Sequence, residues 1–169
     1  MLNRILNAAC ISACLMMIVV GGVFVDKQLA ERRGRSFVPR PIAAGQTIKL
    51  PIPAGGKPTL LLELSPTCSH CIANEPLYRR LSAMPQIRSG KVHVIIAMAN
   101  GDQKAAQAFV DRDGIPGFLV MVPATGEPPP FPFYSTPTIL LVGPDGKINE
   151  VWIGELHGDA EEKLLAKLS

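Results

Sequence analysis

Two apolar runs constrain the fold of this chain more than any other feature of its sequence. The segments Thr59–Leu64 and Lys91–Ala99 are almost continuously apolar, which is the pattern of strands buried on both faces of a sheet. Between them, residues from Ile72 to Met84 follow helical spacing, with Pro76 expected to kink the helix. A buried strand, a helix and a second buried strand in this order indicate an α/β fold.

The rest of the chain extends the same plan. The Pro- and Gly-rich segment Pro123–Pro137 is predicted to be irregular, and a short edge strand is predicted within Gly45–Ile52. The expected sheet is therefore mixed and flanked by helices. The further predicted elements are a helix over Gly101–Gly114, with Asp102 as its N-cap and Gly114 as its stop, a strand over Gly117–Val122, a hairpin turning at Pro144–Gly146 and a helix over Asp159–Leu168.

The N-terminal residues predict a membrane anchor. The uncharged run Ile5–Val25, at about 1.5 Å per residue, is long enough to cross a hydrocarbon layer of ~30 Å. A cleaved signal peptide is the alternative, but the residues after Val25 offer no good small-residue cleavage site. Cys10 and Cys14 fall inside this run and are expected to be small hydrophobic residues. We therefore assign residues 1–25 to an anchor, 26–58 to a linker and 59–169 to the globular domain.

Two features of the sequence predict opposite orientations of the anchor in the membrane. Basic residues are more numerous after the run than before it, and the positive-inside rule would then place the domain in the cytoplasm. A short N-terminal anchor of this kind usually exports the domain that it precedes. We expect a single-pass protein of the inner membrane with its domain in the periplasm. The net charge of +3 owes much to this basic linker, and no Lys/Arg stripe with interleaved aromatics predicts nucleic-acid binding.

Cys68 and Cys71 form a C-x-x-C pair at the point where the first buried strand gives way to the helix. Zinc sites usually need a second pair of ligands, and His70, His93 and His157 do not supply one at the required spacing. A copper-binding module using Cys68, Cys71 and His70 stays open as an alternative, because thiolates and imidazole suit Cu(I). A non-catalytic scaffold is the other alternative.

The position of the pair favours redox chemistry. Cys68 should lie at the first helical turn, where unpaired N–H groups and the helix dipole stabilise a thiolate and lower its pKa. Cys71 comes one turn later and should be the more buried thiol, close enough to resolve a mixed disulfide. The expected redox group is this dithiol itself, with no other cofactor.

From these residues the chain resembles the thioredoxin-like thiol–disulfide oxidoreductases over Thr59 to Ser169. The marks are "TLLLEL" leading into "CSHC", Pro76 after the second cysteine, and "STPTILLVGPDGKI". The resemblance implies that Pro137 is cis and packs against the sulfurs, and that the Thr136 backbone binds substrate. Thr67 and Ser69, which flank Cys68, complete the predicted substrate-binding set.

The anchor and the long segment between Cys68 and Pro137 are similar to a membrane-anchored, exported branch of that family. This branch includes cytochrome c maturation proteins and periplasmic reductases. Thr67 stands where the family usually has Trp, and Asn74 stands where the reductase branch often has Glu. The implied partners are protein thiols and disulfides, and a thiol carrier that resets the pair.

Two further side chains are candidates for tuning the pair. His70 precedes the second cysteine, where strongly oxidising family members carry a histidine that stabilises the reduced thiolate; the alternative is an exposed histidine that only fills a turn. Glu63 is the one charge in the first strand and could relay a proton to Cys71. It falls one residue away from the family's acidic position, however, which on a strand reverses the face.

Overall fold

The computed structural model describes residues 42–53, 55–99, 102–122 and 135–169. The predicted anchor, about half of the linker and most of the predicted irregular segment lie outside these residues. Among the described residues, no helix is long and apolar enough to cross a membrane. The anchor and the three predicted domain boundaries therefore stay predictions.

Five strands form one mixed sheet within the described residues. Their order across the sheet is β3-β2-β1-β4-β5; β2 and β3 run parallel to β1, whereas β4 runs antiparallel to both of its neighbours, β1 and β5. The predicted mixed sheet is confirmed. The strands are β1 (Thr59–Leu64), β2 (His93–Met98), β3 (Phe118–Met121), β4 (Thr138–Val142) and β5 (Ile148–Ile153).

The helix after β1 is divided where the sequence predicted a kink. Asn74 has backbone angles outside the helical range and ends one helix as it caps the next, with Pro76 in the first turn of the second. Pro is favoured there because its missing N–H needs no partner. The helices are α1 (Ser69–Ala73), α2 (Glu75–Ala83), the unpredicted short α3 (Pro85–Arg88), α4 (Gln103–Asp113) and α5 (Asp159–Lys167).

The caps of α4 agree with the sequence. The Ala105 backbone N–H donates to the Asp102 carboxylate at 2.7 Å, which satisfies one of the unpaired donors of the first turn. The helix ends at Gly114, whose φ of 61° is left-handed and suits glycine. Local chemistry therefore sets both ends of this helix.

The sheet has two different buried faces. Leu60, Leu62 and Leu64 of β1 belong to a core shared with Cys71 and with side chains of α2, α4 and α5. Leu61 belongs to a second core, which includes Ile42 and Ile48 from the segment before β1. All six residues of β1 are buried, as its continuous apolar pattern predicts.

The predicted edge strand within Gly45–Ile52 is much reduced. Thr47 and Lys147 form a single antiparallel bridge, and Ile48 donates its N–H to the Gly146 carbonyl at 2.9 Å. Pro51 and Pro53 come shortly afterwards and lack the N–H groups that a longer ladder needs. The segment therefore covers the second face mainly through its side chains.

Strand register brings three distant loops to one edge of the sheet. Thr138, the first residue of β4, is paired with Glu63 near the end of β1 and with Ile153 at the end of β5. The loop after β1, the loop before β4 and the loop after β5 consequently meet at this edge. The candidate site is built from these three loops.

Candidate active site

Cys68 lies at the N-terminus of α1 as its cap residue, with extended backbone angles. Its side chain is half-buried, and its sulfur donates to the Thr136 carbonyl oxygen at 3.3 Å. Apart from any cap, the first N–H groups of an α-helix have no partner within the helix. The thiol therefore sits where backbone donors and an approaching molecule can both reach it.

The pKa of the Cys68 thiol lies below its ordinary value of 9.0. Burial is the largest single influence and raises the pKa, but hydrogen bonds that stabilise the thiolate outweigh it. The strongest of these come from the Thr136 side chain and the Cys71 backbone, with a smaller one from the His70 backbone. The prediction of an acidic thiol at the helix start agrees with this arrangement.

Cys71 differs sharply from Cys68, although both are reduced. It is fully buried in the core under α1, and the Ser65 N–H donates to its sulfur at 3.4 Å. Burial raises the pKa of the Cys71 thiol to about 12, and the nearby Cys68 contributes to the increase. The pair thus contains one accessible, acidic thiol and one buried, protonated thiol, as the positions on the helix predict.

The loop before β4 supplies the other wall of the site. The Thr136–Pro137 peptide bond is cis, as the resemblance implied. Pro137 is buried and Thr136 is half-buried beside the Cys68 sulfur. The Thr136 carbonyl is therefore within reach of any group that binds at Cys68.

His70 is exposed and bound to a carboxylate that the sequence did not identify. Its Nδ1 lies 2.5 Å from Glu155 Oε1, and the second oxygen of Glu155 lies 3.0 Å from His157 Nε2. The hydrogen bond with Glu155 raises the pKa of His70, and Cys68 adds a smaller electrostatic effect in the same direction. Conversely, His70 and then His157 lower the pKa of Glu155.

Asn74 attaches the Glu155 loop to the active-site helices. Its side-chain Nδ2 donates to the Gly154 carbonyl at 3.2 Å, and its Oδ1 accepts from the Leu156 N–H at 3.0 Å. Asn74 and Leu156 are both buried. The amide therefore bonds the residues on either side of Glu155, a role that a carboxylate at this position could fill only in part.

Glu63 is not placed to serve Cys71. Side chains alternate along a strand, and Leu62 and Leu64 share the core of Cys71. Glu63, between them, points to the opposite face of the sheet and is fully buried there. This placement argues against a proton relay from Glu63 and agrees with the one-residue offset seen in the sequence, which reverses the face along β1.

Thr67 and Ser69 flank Cys68 and are both exposed. Thr67 Oγ1 lies 3.2 Å from Ser65 Oγ, so its hydroxyl belongs to the turn that precedes α1. Their predicted role in substrate binding stays a prediction. In the described part of the chain, no group of three or more His, Cys, Asp or Glu side chains is arranged to hold a metal ion.

Sequence reasoning missed Glu155 and the function of Asn74. One signal was available for Glu155: the hairpin predicted from Pro144–Gly146 is antiparallel, so the end of its second strand must return to the start of the first, beside Pro137. The Asn74 contacts had no such signal. They depend on how α1 and α2 pack against the loop after β5.

No family model and no curated protein matches the sequence, but solved structures match in fold. The thioredoxin domain of a thiol-disulfide oxidoreductase from Bacteroides vulgatus has a TM-score of 0.53 at 18% identity, covering 75% of this chain and 98% of its own. A thioredoxin-family thiol:disulfide interchange protein from Chlorobium tepidum has a TM-score of 0.53 at 11% identity, covering 77% and 99%. A thiol-disulfide isomerase from Corynebacterium glutamicum has a TM-score of 0.52 at 18% identity, covering 79% and 97%. The chain has a thioredoxin-like α/β fold, with a central mixed sheet and flanking helices.

Proposed function

We propose that this protein is a thiol–disulfide oxidoreductase that exchanges the Cys68–Cys71 dithiol with disulfides of protein substrates. One observation carries the proposal: the two thiols of a C-x-x-C pair differ in both acidity and access. Cys68 is half-buried with a lowered pKa, whereas Cys71 is buried with a pKa of about 12. Nucleophilic attack and resolution need two such unequal thiols.

The first step is determined by the position of Cys68. Its thiolate attacks one sulfur of a substrate disulfide, forming a mixed disulfide and releasing the other substrate sulfur as a thiolate, which takes up a proton. The Thr136 carbonyl, 3.3 Å from the Cys68 sulfur, can accept a backbone N–H from an extended substrate chain. This contact would align the substrate sulfur with Cys68.

The second step uses Cys71. Its thiolate attacks the Cys68 sulfur, forms the Cys68–Cys71 disulfide and releases the second substrate thiol, so the substrate is reduced and this protein oxidised. Two of the influences that raise the pKa of Cys71 come from Cys68. Both weaken once Cys68 is held in a mixed disulfide, so the Cys71 proton is lost more easily when it must be. Every step is reversible, and the reverse sequence oxidises the substrate.

The structural relatives from Bacteroides vulgatus, Chlorobium tepidum and Corynebacterium glutamicum support this chemistry, because their names describe thiol–disulfide exchange and they share the fold that positions the pair. We further propose that the domain is held outside the cytoplasm by the N-terminal anchor, as in the exported branch that the sequence resembles. A second thiol protein would then reset the pair. Active C-terminal fusions to a reporter that folds only in the periplasm would support this location. A reporter active only in the cytoplasm would overturn it.

The central experiment measures the reduction potential of the full-length protein by equilibration with glutathione or dithiothreitol. We expect one two-electron couple that disappears in Cys68→Ser and in Cys71→Ser, together with catalysed reduction of insulin or oxidation of a reduced substrate. A reduction potential of about −120 mV for the pair would identify an oxidant, and one of about −270 mV would identify a reductant. Absence of both activities, with a correctly folded protein, would overturn the proposed function.

A further inference from the structure

The loop after β5 carries a carboxylate directly to the active-site histidine. Glu155 is bound on one oxygen by His70 and on the other by His157. The His70 side chain is 65% exposed and that of Glu155 is 33% exposed. Exposed ion pairs usually hold their partners loosely, because two flexible side chains must be fixed at once. A firm backbone under one partner reduces that entropic cost.

The backbone on both sides of Glu155 is held in place. Asn74 bonds the Gly154 carbonyl and the Leu156 N–H, and the Gly154 N–H donates to the Pro137 carbonyl at 2.8 Å. Gly154 has a φ of 87°, a left-handed conformation that turns the chain sharply after β5. The buried Leu156 side chain provides a further anchor. The loop is thus fixed to the active-site helices and to the loop that approaches Cys68.

We propose that Asn74 and Glu155 are positioning residues for His70: Asn74 fixes the loop, Glu155 holds the imidazole, and the held imidazole stabilises the Cys68 thiolate. This inference rests on the proposed function, because the Cys68 thiolate is the group that the proposed reaction uses. It assigns a task to the position where the reductase branch often has Glu and this chain has Asn.

The charged groups around His70 support the proposal that Glu155 acts on His70 and that His70 acts on Cys68. The His70 ring is paired with Glu155, and the second oxygen of Glu155 is paired with His157. The hydrogen bond that His70 donates to Glu155 raises the pKa of His70 and keeps the ring cationic to a higher pH. Cys68 adds a smaller electrostatic increase to the pKa of His70, and the attraction between cation and anion would in turn favour the Cys68 thiolate.

The first test is a titration of the histidines by NMR in the reduced full-length chain, without a histidine tag. The sequence contains three histidines, so each resonance can be assigned by substitution. In Glu155→Gln the pKa of His70 should fall toward its ordinary value of 6.5. Glu150→Gln is the matched control, because Glu150 is a carboxylate of β5 bound to Lys167 instead. An unchanged His70 pKa in Glu155→Gln would overturn the proposal.

The second test asks whether Asn74 acts through Glu155. Asn74→Ala should lower the pKa of His70 about as far as Glu155→Gln does, and the double variant should lower it no further. Effects that add fully in the double variant would show that Asn74 has only a structural role. Asn74→Leu guards against misfolding, since it fills the space of the amide without adding a charge and makes neither of the two hydrogen bonds. It should still lower the His70 pKa, and no change would count against the proposal.

The third test reads the thiolate directly. Thiolates absorb at about 240 nm, so the absorbance there measures the thiolate fraction of Cys68. At neutral pH, Glu155→Gln should lower this fraction by roughly two- to fivefold, the size expected for exposed charges. The reduction potential of the same variant should become more negative, because the reduced form loses stabilisation. If the protein lacks exchange activity but the His70 titration shifts, the proposed function fails and the positioning stands. If activity is present and His70 does not respond, the positioning fails alone.

Discussion

The Cys68 sulfur lies 3.3 Å from the carbonyl oxygen of Thr136, although 68 positions separate the two residues in the sequence. The contact exists because β4 runs antiparallel to β1, which returns the start of β4 to the end of β1. The thiol that can attack and the backbone that can bind an extended chain are thereby adjacent. Under the proposed function, one surface would both hold a protein substrate and react with it.

The difference in pKa and exposure between the Cys68 and Cys71 thiols predicts which cysteine variant traps a substrate. In Cys71→Ser, Cys68 can still form a mixed disulfide but nothing resolves it, so the complex should accumulate on non-reducing gels. Cys68→Ser should form none, because the remaining thiol is buried with a pKa of about 12. Both variants should carry Cys10→Ser and Cys14→Ser, so that only the site cysteine remains. Equal trapping by both variants would contradict the assignment of Cys68 as the nucleophile.

The raised pKa of Cys71 predicts a loss of stability at alkaline pH in the reduced protein. The unfolded chain releases this proton near its ordinary pKa of 9.0, whereas the folded chain keeps it to about pH 12. The contribution is therefore fully present below the unfolded pKa and is lost as the pH rises toward the folded pKa. Between about pH 9 and pH 10 we expect the free energy of unfolding to fall by about 1 kcal/mol from this group.

Cys68 and Tyr78 also have shifted pKa values, so their effect on alkaline stability must be separated from that of Cys71. The pKa of Cys68 is lowered, so its contribution to stability is present above its unfolded value and does not fall in this window. The pKa of Tyr78 is raised by burial from an ordinary value of 10.0, so its effect begins mainly above that pH. Urea unfolding of reduced Cys71→Ala at both pH values should lack the additional fall. The same fall in the wild-type protein and in Cys71→Ala would rule out Cys71 as its source.

Because Glu63 lies on the opposite face of β1 from Cys71, replacing it should not change the rate at which Cys71 resolves the mixed disulfide. In Glu63→Gln, the rate constant at which Cys71 resolves a mixed disulfide should stay within about twofold of the wild-type value, because no proton passes between the two faces. Stopped-flow mixing of the reduced variant with a small aromatic disulfide measures this step. A roughly tenfold slower resolution, at unchanged Cys68 reactivity, would restore the proton relay.

Removing the buried carboxylate of Asp113, which lies away from the active site, should lower the stability of the protein without changing its redox activity. The Asp113 side chain is fully buried at the end of α4 and lies 3.6 Å from Arg79 and 3.5 Å from Arg112. Asp113→Ala should lower the free energy of unfolding by about 1–3 kcal/mol, because the arginines lose their buried partner. Exposed Asp111 on the same helix is the control, and Asp111→Ala should cost less. A changed reduction potential in Asp113→Ala would contradict this separation.

Much of the local structure could be predicted from the sequence. The continuous apolar residues of β1 and β2, the cap at Asp102 and the left-handed Gly114 are short-range features, and each was confirmed. The acidic Cys68 and the buried Cys71 could be inferred from their places on one helix. Less was predictable near the second face, where the expected edge strand is a single bridge at Thr47 because two prolines lie just beyond it.

The sequence by itself determined which residues can carry the chemistry, because a C-x-x-C pair after a buried strand and a distant proline are properties of local order and spacing. Only the tertiary structure decided what surrounds the pair. It brought the Glu155 carboxylate to the His70 ring. It also attached Asn74 to the residues on either side of Glu155. These relations depend on strand register and on how the helices pack against the end of β5, and a linear pattern does not encode such distances.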